Sequence, residues 1–211
     1  DPLEEVEMTE KFAQNYFLKR QRRGITLYEA RKYMRDRNYF GASMVEFGEA
    51  DALISGLTKN YATTVKPALQ IIGTESGVNK VAGMYMILTK KGPVFFADTT
   101  ININPSAEEL VDITVLVNKS LKKFNIKPRI AILSYSNYGS NEGEIPLKTR
   151  EAVKILHEKH PDIIVDGEMQ ANFALNQSLL NDNFEFSKLK DGPANTLVFP
   201  SLDSGNIAYK L

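Results

Sequence analysis

Four short segments carry the side chains best suited to hold a small polar ligand. Asp98, Thr99, Thr100, Asn102 and Asn104 follow one apolar run, and Ser134, Ser136, Asn137, Gly139 and Ser140 follow a second. Asp166, Glu168, Gln170 and Asn172 follow a third, and Ser201, Asp203, Ser204, Gly205 and Asn206 follow a fourth. Each set is small, uncharged or acidic, and leads into a helical pattern. Hydroxyls and backbone N–H groups at helix N-termini donate to the oxygens of phosphorylated ligands. Asp, Ser and Asn are equally the usual helix N-caps, so one such loop alone has an ordinary structural explanation; four in one sheet point to a site.

A second cluster is basic. Between Lys19 and Arg37 stand Lys19, Arg20, Arg22, Arg23, Arg31, Lys32, Arg35 and Arg37, opposed only by Glu29 and Asp36. A phosphate-rich ligand or acidic partner would use such an excess, but solvated helix faces with bases at favourable C-terminal ends account for it as well. His157 and His160, three apart, have no further ligand type placed beside them and are read as surface residues. The patterns G-x-G-x-x-G, G-x-x-x-x-G-K-[ST], G-x-S-x-G and H-E-x-x-H are missing, so nucleotide-fold and hydrolase readings lose their usual support.

The elements that must position these residues follow from periodicity and caps. Pro2 and the acidic start precede a helix reaching Gly24, a C′ glycine; Thr26 with Glu29 forms a capping box for a helix to about Arg35; Asn38 to Phe47 is a third helix, closed by Gly48. Ala52 to Ser55 reads as a short buried strand and Tyr61 to Ile72 as a helix near Pro67, followed by a polar link from Gly73 to Asn79. Val81 to Leu88 and Val94 to Ala97 form a hairpin about Lys90 to Pro93. Ser106 with Glu109 caps a helix to Phe124. Strands at Arg129–Ser134, Ile163–Val165 and Leu197–Phe199 then alternate with helices at Leu147–His160, Asn172–Leu175 and Ser204 onward. Alternation of this kind builds a mostly parallel sheet covered on both faces. The last helix stops after about two turns without a Gly, Pro or polar tail, so the chain is expected to be a piece of a longer one.

The chain has 211 residues, 43% of them hydrophobic and 25% charged, enough for one large α/β domain or a domain plus part of another. Lys+Arg and Asp+Glu both number 26, so the neutral whole offers no field for nucleic acid or anionic membrane. No apolar run approaches the roughly 18 to 20 residues that span a bilayer, and the start has no signal-peptide pattern. A cytoplasmic protein is expected. With no Cys and two His, disulfides, thiolate metal sites and a Cys nucleophile are excluded, and no metal site is assigned.

Six ordered runs carry a resemblance to a known family: LKRQRRGIT (18–26), GEADALISGLTKNYATTVKPALQ (48–70), FADTTININPSAEEL (96–110), LSYSNYGS (133–140), VDGEMQANFAL (165–175) and ANTLVFPSLDSGNIAYKL (194–211). They resemble the phosphate acetyltransferase (phosphotransacetylase) family. The wording of RKYMRDRNYFGASMV (31–45) and the pair Asn137, Tyr138 is most similar to the C-terminal phosphotransacetylase-like domain of large NADP-dependent malic enzymes.

The resemblance implies a three-layer α/β/α architecture with a mostly parallel sheet in two lobes, related to isocitrate and isopropylmalate dehydrogenases and present as a fragment. Residues 1–72 would be part of the first lobe, without its outer strands, and 73–211 the second. The family transfers acetyl groups between acetyl phosphate and CoA. Carried over by motif, Arg20 is the basic residue that holds phosphate or CoA, and Ser55, Lys66, Asn195, Tyr209 and Lys210 join Asp98, Asn102, Ser134, Ser136, Gly139, Ser140, Asp166, Gln170, Asp203 and Asn206 as candidate binding residues.

Where the family's loop continues with His, two Thr or Ser and an Arg, this chain has Lys59, Asn60, Tyr61 and Lys66. An ammonium replaces a bidentate guanidinium there, and two hydroxyl donors are gone. The family's thiol-activating Asp and Ser-Arg pair would lie beyond Leu211, so no catalytic residue is assigned. The resemblance therefore implies an inactive domain that senses acetyl-CoA or CoA and assembles as a homo-oligomer. Malate decarboxylation, NADP and a divalent metal would belong to a malic-enzyme part of the same polypeptide. An active transferase acting on acetyl phosphate and CoA, or a purely structural dimerisation module, are the rivals.

Overall fold

The computed structural model describes residues 2–76, 78 and 80–211; Asp1 and, within the expected polar link, Gly77 and Asn79 lie outside the described residues. The chain divides into two compact units, Asp1–Gly77 and Val78–Leu211.

The first unit is helical. Helix α1 (Val6–Arg20) runs into a single 3-10 turn whose C-cap, Gly24, adopts φ +85°. That left-handed geometry costs an L side chain and suits glycine. Helix α2 (Leu27–Tyr33) has the expected capping box: Glu29 N donates to Thr26 Oγ1 at 3.2 Å and Thr26 N to Glu29 Oε2 at 2.8 Å. Helix α3 (Arg37–Glu46) is capped by Asp36, and α4 (Tyr61–Ile71), with Pro67 inside it, by Asn60. Phe12, Tyr16, Met34, Phe40 and Ile71 build one core, with Phe12 and Phe40 edge to face at 5.2 Å. The strand expected at Ala52–Ser55 does not form. The segment is irregular and exposed, Leu53 at 39% and Ile54 at 98%, because among the described residues of the first unit no strand offers it a ladder.

The second unit opens with the hairpin β1 (Met84–Thr89) and β2 (Gly92–Ala97), antiparallel with Met84 opposite Ala97. It continues through α5 (Ala107–Lys123), β3 (Ile130–Leu133), α6 (Glu144–Lys159), β4 (Val165–Met169), α7 (Ala171–Leu175), α8 (Gln177–Asn183), β5 (Thr196–Val198) and α9 (Leu202–Ala208). The sheet order is β1-β2-β5-β3-β4, and every pairing after the hairpin is parallel. The expected Ser106–Glu109 capping box of α5 is present.

Strand alternation sorts the apolar side chains into two cores. Phe95, Ile130, Ile132, Val165 and Val198 join Leu110, Leu121, Ala152 and Leu156 from α5 and α6. Ala131, Leu133, Met169, Leu197 and Phe199 face the other way, against Ala174 and Leu180 of α7 and α8. Three layers result, and truncating a fully buried residue such as Ile132 to Ala should cost about 2 to 5 kcal/mol. Helix α8 was not anticipated, and several boundaries differ from the periodicity reading: β1 begins at Met84 rather than Val81, α6 begins at Glu144 rather than Leu147, and β4 lies later than Ile163–Val165, taking Asp166 and Glu168 into the strand. Both carboxylates are buried, and their polarity hides the strand pattern.

Among the described residues no helix is long and apolar enough to cross a membrane.

Candidate functional site

The route of the chain defines where the second unit can bind a ligand. Going from β2 to β3 and on to β4, it lays α5 and α6 on one face; returning from β4 to β5, it lays α7 and α8 on the other. The connection leaving β3 therefore departs to one face, while α9, leaving β5, packs Ala208 on the opposite one. Adjacent strands whose outgoing connections part in this way leave a crevice at their carboxyl ends. Here the crevice is about 340 Å³ and is lined by Leu133, Ser134, Tyr135, Ile145, Ala171, Phe199, Pro200, Ser201 and Ser204. Its walls are mainly apolar, and its three serines are engaged in the fold: Ser204 Oγ donates to Ser201 O at 2.8 Å, Ser201 Oγ caps α9, and Ser134 Oγ accepts from Ser136 N at 3.3 Å.

The loop after β3 is shaped from beneath by Glu168. Its wholly buried carboxylate accepts from Ser136 Oγ at 3.0 Å, Gly139 N at 2.8 Å and the Arg150 guanidinium at 3.1 Å. Burial raises the pKa of Glu168, but the hydrogen bonds from Arg150, Gly139 and Ser136 outweigh it and the net shift is downward. Ser140 Oγ closes the turn, 3.1 Å from Ser136 Oγ and accepting from Asn137 N at 3.0 Å. Gln170 donates to Tyr135 O at 2.9 Å. Asp166, expected to face a ligand, instead accepts from Ser187 Oγ at 2.8 Å, Lys188 N at 2.7 Å and Tyr138 hydroxyl at 3.1 Å. Burial, together with the Asp166 charge, pushes the Tyr138 hydroxyl pKa up.

The loops after β2 and β5 are bound to each other. Asp98 spends its buried carboxylate on the N–H groups of Gly83, Thr100, Ile101 and Asn102 and on the Asn102 side chain. Asn206 Nδ2 reaches Thr99 O at 3.2 Å. Helix α9 sits so close that a Cβ on Gly205 would lie 2.5 Å from Asp98 O. Thr99 Oγ1 is buried there without a hydrogen-bond partner among the described residues. Asp203 is exposed in the first turn of α9, Lys210 Nζ contacts Asn206 Oδ1 at 2.5 Å, and Tyr209 stacks on Tyr85 at 4.1 Å. Asn195 is displaced from the others. It precedes β5 at the opposite end of the sheet, receiving Arg129 N at 2.8 Å and donating to Lys127 O at 2.9 Å, so its amide ties strand starts together.

Two of the first unit's candidates, Lys66 and Ser55, each line a cavity, and Arg20 lines neither of these. One, of about 490 Å³, is lined by Tyr33, Asp36, Tyr39, Thr58, Lys59, Asn60, Thr63 and Lys66; the other, of about 480 Å³, includes Arg35, Arg37, Asn38 and Ser55. Ser55 Oγ donates to Asn38 Oδ1 at 2.6 Å, and Lys59 pairs with Asp36 at 2.5 Å. Arg20 Nε is buried without a hydrogen-bond partner among the described residues. Two members of the basic cluster are neutralised: Lys19 pairs with Glu46, and Arg31 grips both oxygens of Glu10 at 2.7 and 2.8 Å, holding that carboxyl down at about 2.

Lys148 and Arg150 were not singled out from sequence, because a Lys and an Arg inside a helical pattern read as solvated face. His157, expected at the surface, is half-buried, its Nε2 2.9 Å from Val165 O of the edge strand β4. Among the described residues no three His, Asp or Glu converge as metal ligands.

A three-layer, mostly parallel α/β unit with a crevice at its strand ends is the architecture in which small-molecule sites commonly occur. The model of the phosphate acetyl/butaryl transferase family matches residues 1–211, and the chain belongs to that family. It is 42% identical, over 92% of its length, to a phosphate acetyltransferase of Bacillus subtilis, spanning 60% of that relative. It is 38% identical, over 93% of its length, to an NADP-dependent malic enzyme of Escherichia coli, of which it spans 26%. Among solved structures it is similar to a phosphotransacetylase from Streptococcus pyogenes, with TM-score 0.83 and 40% identity, covering 97% of this chain and 61% of that one. The chain thus spans about 60% of the length of these transferases and about a quarter of the malic enzyme.

Proposed function

We propose that this chain is the phosphotransacetylase-like part of an NADP-dependent malic enzyme, binding acetyl-CoA or CoA as an effector and supporting assembly of a homo-oligomer rather than transferring acetyl groups. The observation that carries this reading is the loop before α4. Lys59, at a position where the family resemblance leads one to expect phosphoryl-binding groups, is committed to Asp36 at 2.5 Å, and Asn60 is spent capping α4 through Thr63 N at 2.9 Å. Lys66 replaces the expected Arg and offers a point charge instead of a fork. Losing one preorganised donor typically costs about 100 to 1,000-fold in rate, so several losses leave little transfer. Arg20, whose Nε is buried without an acceptor among the described residues while its guanidinium also meets Tyr16, is in keeping with an anionic ligand near α1.

Malate decarboxylation, with NADP and its divalent metal, then belongs to a region outside this chain. The second reading is an active phosphate acetyltransferase, favoured by the 42% identity to the phosphate acetyltransferase of Bacillus subtilis. The full-length protein separates the two. With acetyl-CoA at about 100 times its dissociation constant, the occupied state gains about 2.7 kcal/mol, which raises the midpoint of a cooperative unit of about 200 residues, such as this domain, by roughly 5 to 10 °C. Malate kinetics should change in parallel, and CoA-dependent consumption of acetyl phosphate should stay at background. Robust transfer overturns the effector reading in favour of the enzyme. No response of Tm or malate kinetics to acetyl-CoA leaves a structural module.

A further inference from the structure

Lys148 lies on α6, one turn beyond Ile145 of the crevice wall. Its Nζ donates to Asn104 Oδ1 at 2.7 Å, in the connection after β2, and to Pro200 O at 3.0 Å, in the turn after β5 that walls the crevice. The same two connections are joined by Leu202 N to Ile103 O at 2.9 Å. Both acceptors of Lys148 are neutral, and an ammonium has three donors, so one N–H is left over.

Among the described residues no carboxylate lies within ion-pair distance of that half-buried ammonium, whereas Lys19, Lys59 and Lys80 each have one in Glu46, Asp36 and Glu109. Burial pushes the pKa of Lys148 down; Glu144 of its own helix and Glu109 of α5 act in the other direction. Glu109 is already held by Lys80 and by the Ser106 cap. A partly desolvated cation without a counter-charge is costly, and an arriving anion relieves that cost.

We propose that Lys148 is an anion-binding and positioning residue beside the crevice, behind Pro200 of its wall, clamping the connections after β2 and β5 and giving its remaining N–H to a phosphoryl oxygen of the ligand. The inference deepens the reading of this chain as a binder of CoA esters by assigning a phosphoryl subsite, and it can fail separately from that reading.

The test is calorimetric titration of the full-length protein and its variants with inorganic phosphate and, in separate runs, acetyl-CoA. Lys148→Gln keeps N–H donors for Asn104 and Pro200 but removes the charge; Lys148→Arg keeps the charge. We expect phosphate affinity to fall at least tenfold in Lys148→Gln and to stay within about threefold in Lys148→Arg. Wild-type affinity should also decline as the pH rises through the lowered pKa of the ammonium, below its ordinary 10.5, more steeply than in Lys148→Gln. Wild-type affinity in Lys148→Gln, or no phosphate binding by the wild type, overturns the assignment. Phosphate binding that depends on Lys148 while acetyl-CoA does not bind sustains the subsite and removes the CoA-ester reading. Acetyl-CoA binding unchanged across all variants overturns the subsite as part of that ligand's site.

Discussion

The buried carboxylate of Glu168 and the guanidinium of Arg150 meet twice, Nε on Oε2 and Nη2 on Oε1, both at 3.1 Å. The pair joins α6 to the end of β4, and through Ser136 and Gly139 the loop after β3 hangs from the same carboxylate. Removing one partner of a buried pair typically costs 3 to 5 kcal/mol. Because Arg150 is 38% exposed, Glu168→Gln should fall near the lower end, about 3 kcal/mol, in urea denaturation at pH 7. The folded pKa of Glu168 lies below its reference value of 4.5, so its contribution is complete above that pH and fades as the pH falls through the folded value. Wild type should therefore lose stability on acidification below 4.5 more steeply than Glu168→Gln; parallel acid limbs would show that the carboxylate carries no linkage.

Gln70 serves two tyrosines. Its Oε1 accepts from Tyr16 hydroxyl at 2.8 Å and Tyr39 hydroxyl at 2.9 Å, and burial raises the pKa of both phenols. Gln70→Leu leaves two buried donors without their acceptor and should destabilise the first unit by about 1 to 3 kcal/mol. Thermal denaturation followed by near-ultraviolet circular dichroism, which reports the tyrosine cluster, checks this. An unchanged midpoint and tyrosine signal would mean that water replaces the amide without loss.

Gly205 lets α9 approach the loop after β2. A Cβ 2.5 Å from Asp98 O meets backbone, which cannot swing aside, so Gly205→Ala should cost about 1 to 3 kcal/mol as an overpacked contact. It should also move the Ser201 and Ser204 wall of the crevice and weaken acetyl-CoA binding. Wild-type melting and affinity in this variant would refute the close approach.

Arg20 and the exposed Arg22 separate ligand binding from solvation within the basic cluster. A phosphate contact near 4 Å is worth up to about 4 kcal/mol of attraction at an effective dielectric of about 20, before desolvation. Arg20→Ala should therefore weaken acetyl-CoA binding by the full-length protein tenfold or more, and Arg22→Ala by less than threefold. Equal small effects in calorimetry would assign the whole cluster to solvation.

The elements read correctly from sequence are those with local signals. The capping boxes at Thr26 and Ser106 and the C-terminal Gly24 act within one turn of chain, so their outcome does not wait on distant partners. The hairpin is likewise local, with Lys90 to Pro93 turning β1 onto β2. Ala52–Ser55 carries an apolar strand pattern but finds no neighbour, and β4 carries Asp166 and Glu168 in a buried strand because Ser187, Arg150 and Ser136 arrive from elsewhere to satisfy them.

The amino-acid sequence by itself determined the α/β class, the family likeness and the polar loops at the strand ends, since caps, turns and alternation are written in neighbouring residues. Only the tertiary structure decided which of those polar groups remain available to a ligand. Asp98, Asp166 and Glu168 are consumed by hydrogen bonds inside the fold, and Asn195 is carried to the far end of the sheet. Lys148, unremarkable in a helical pattern, is left as a half-buried cation beside neutral acceptors. The reason is physical: whether a buried charge finds a partner depends on residues brought together from distant parts of the chain, and spacing along the sequence does not record that meeting.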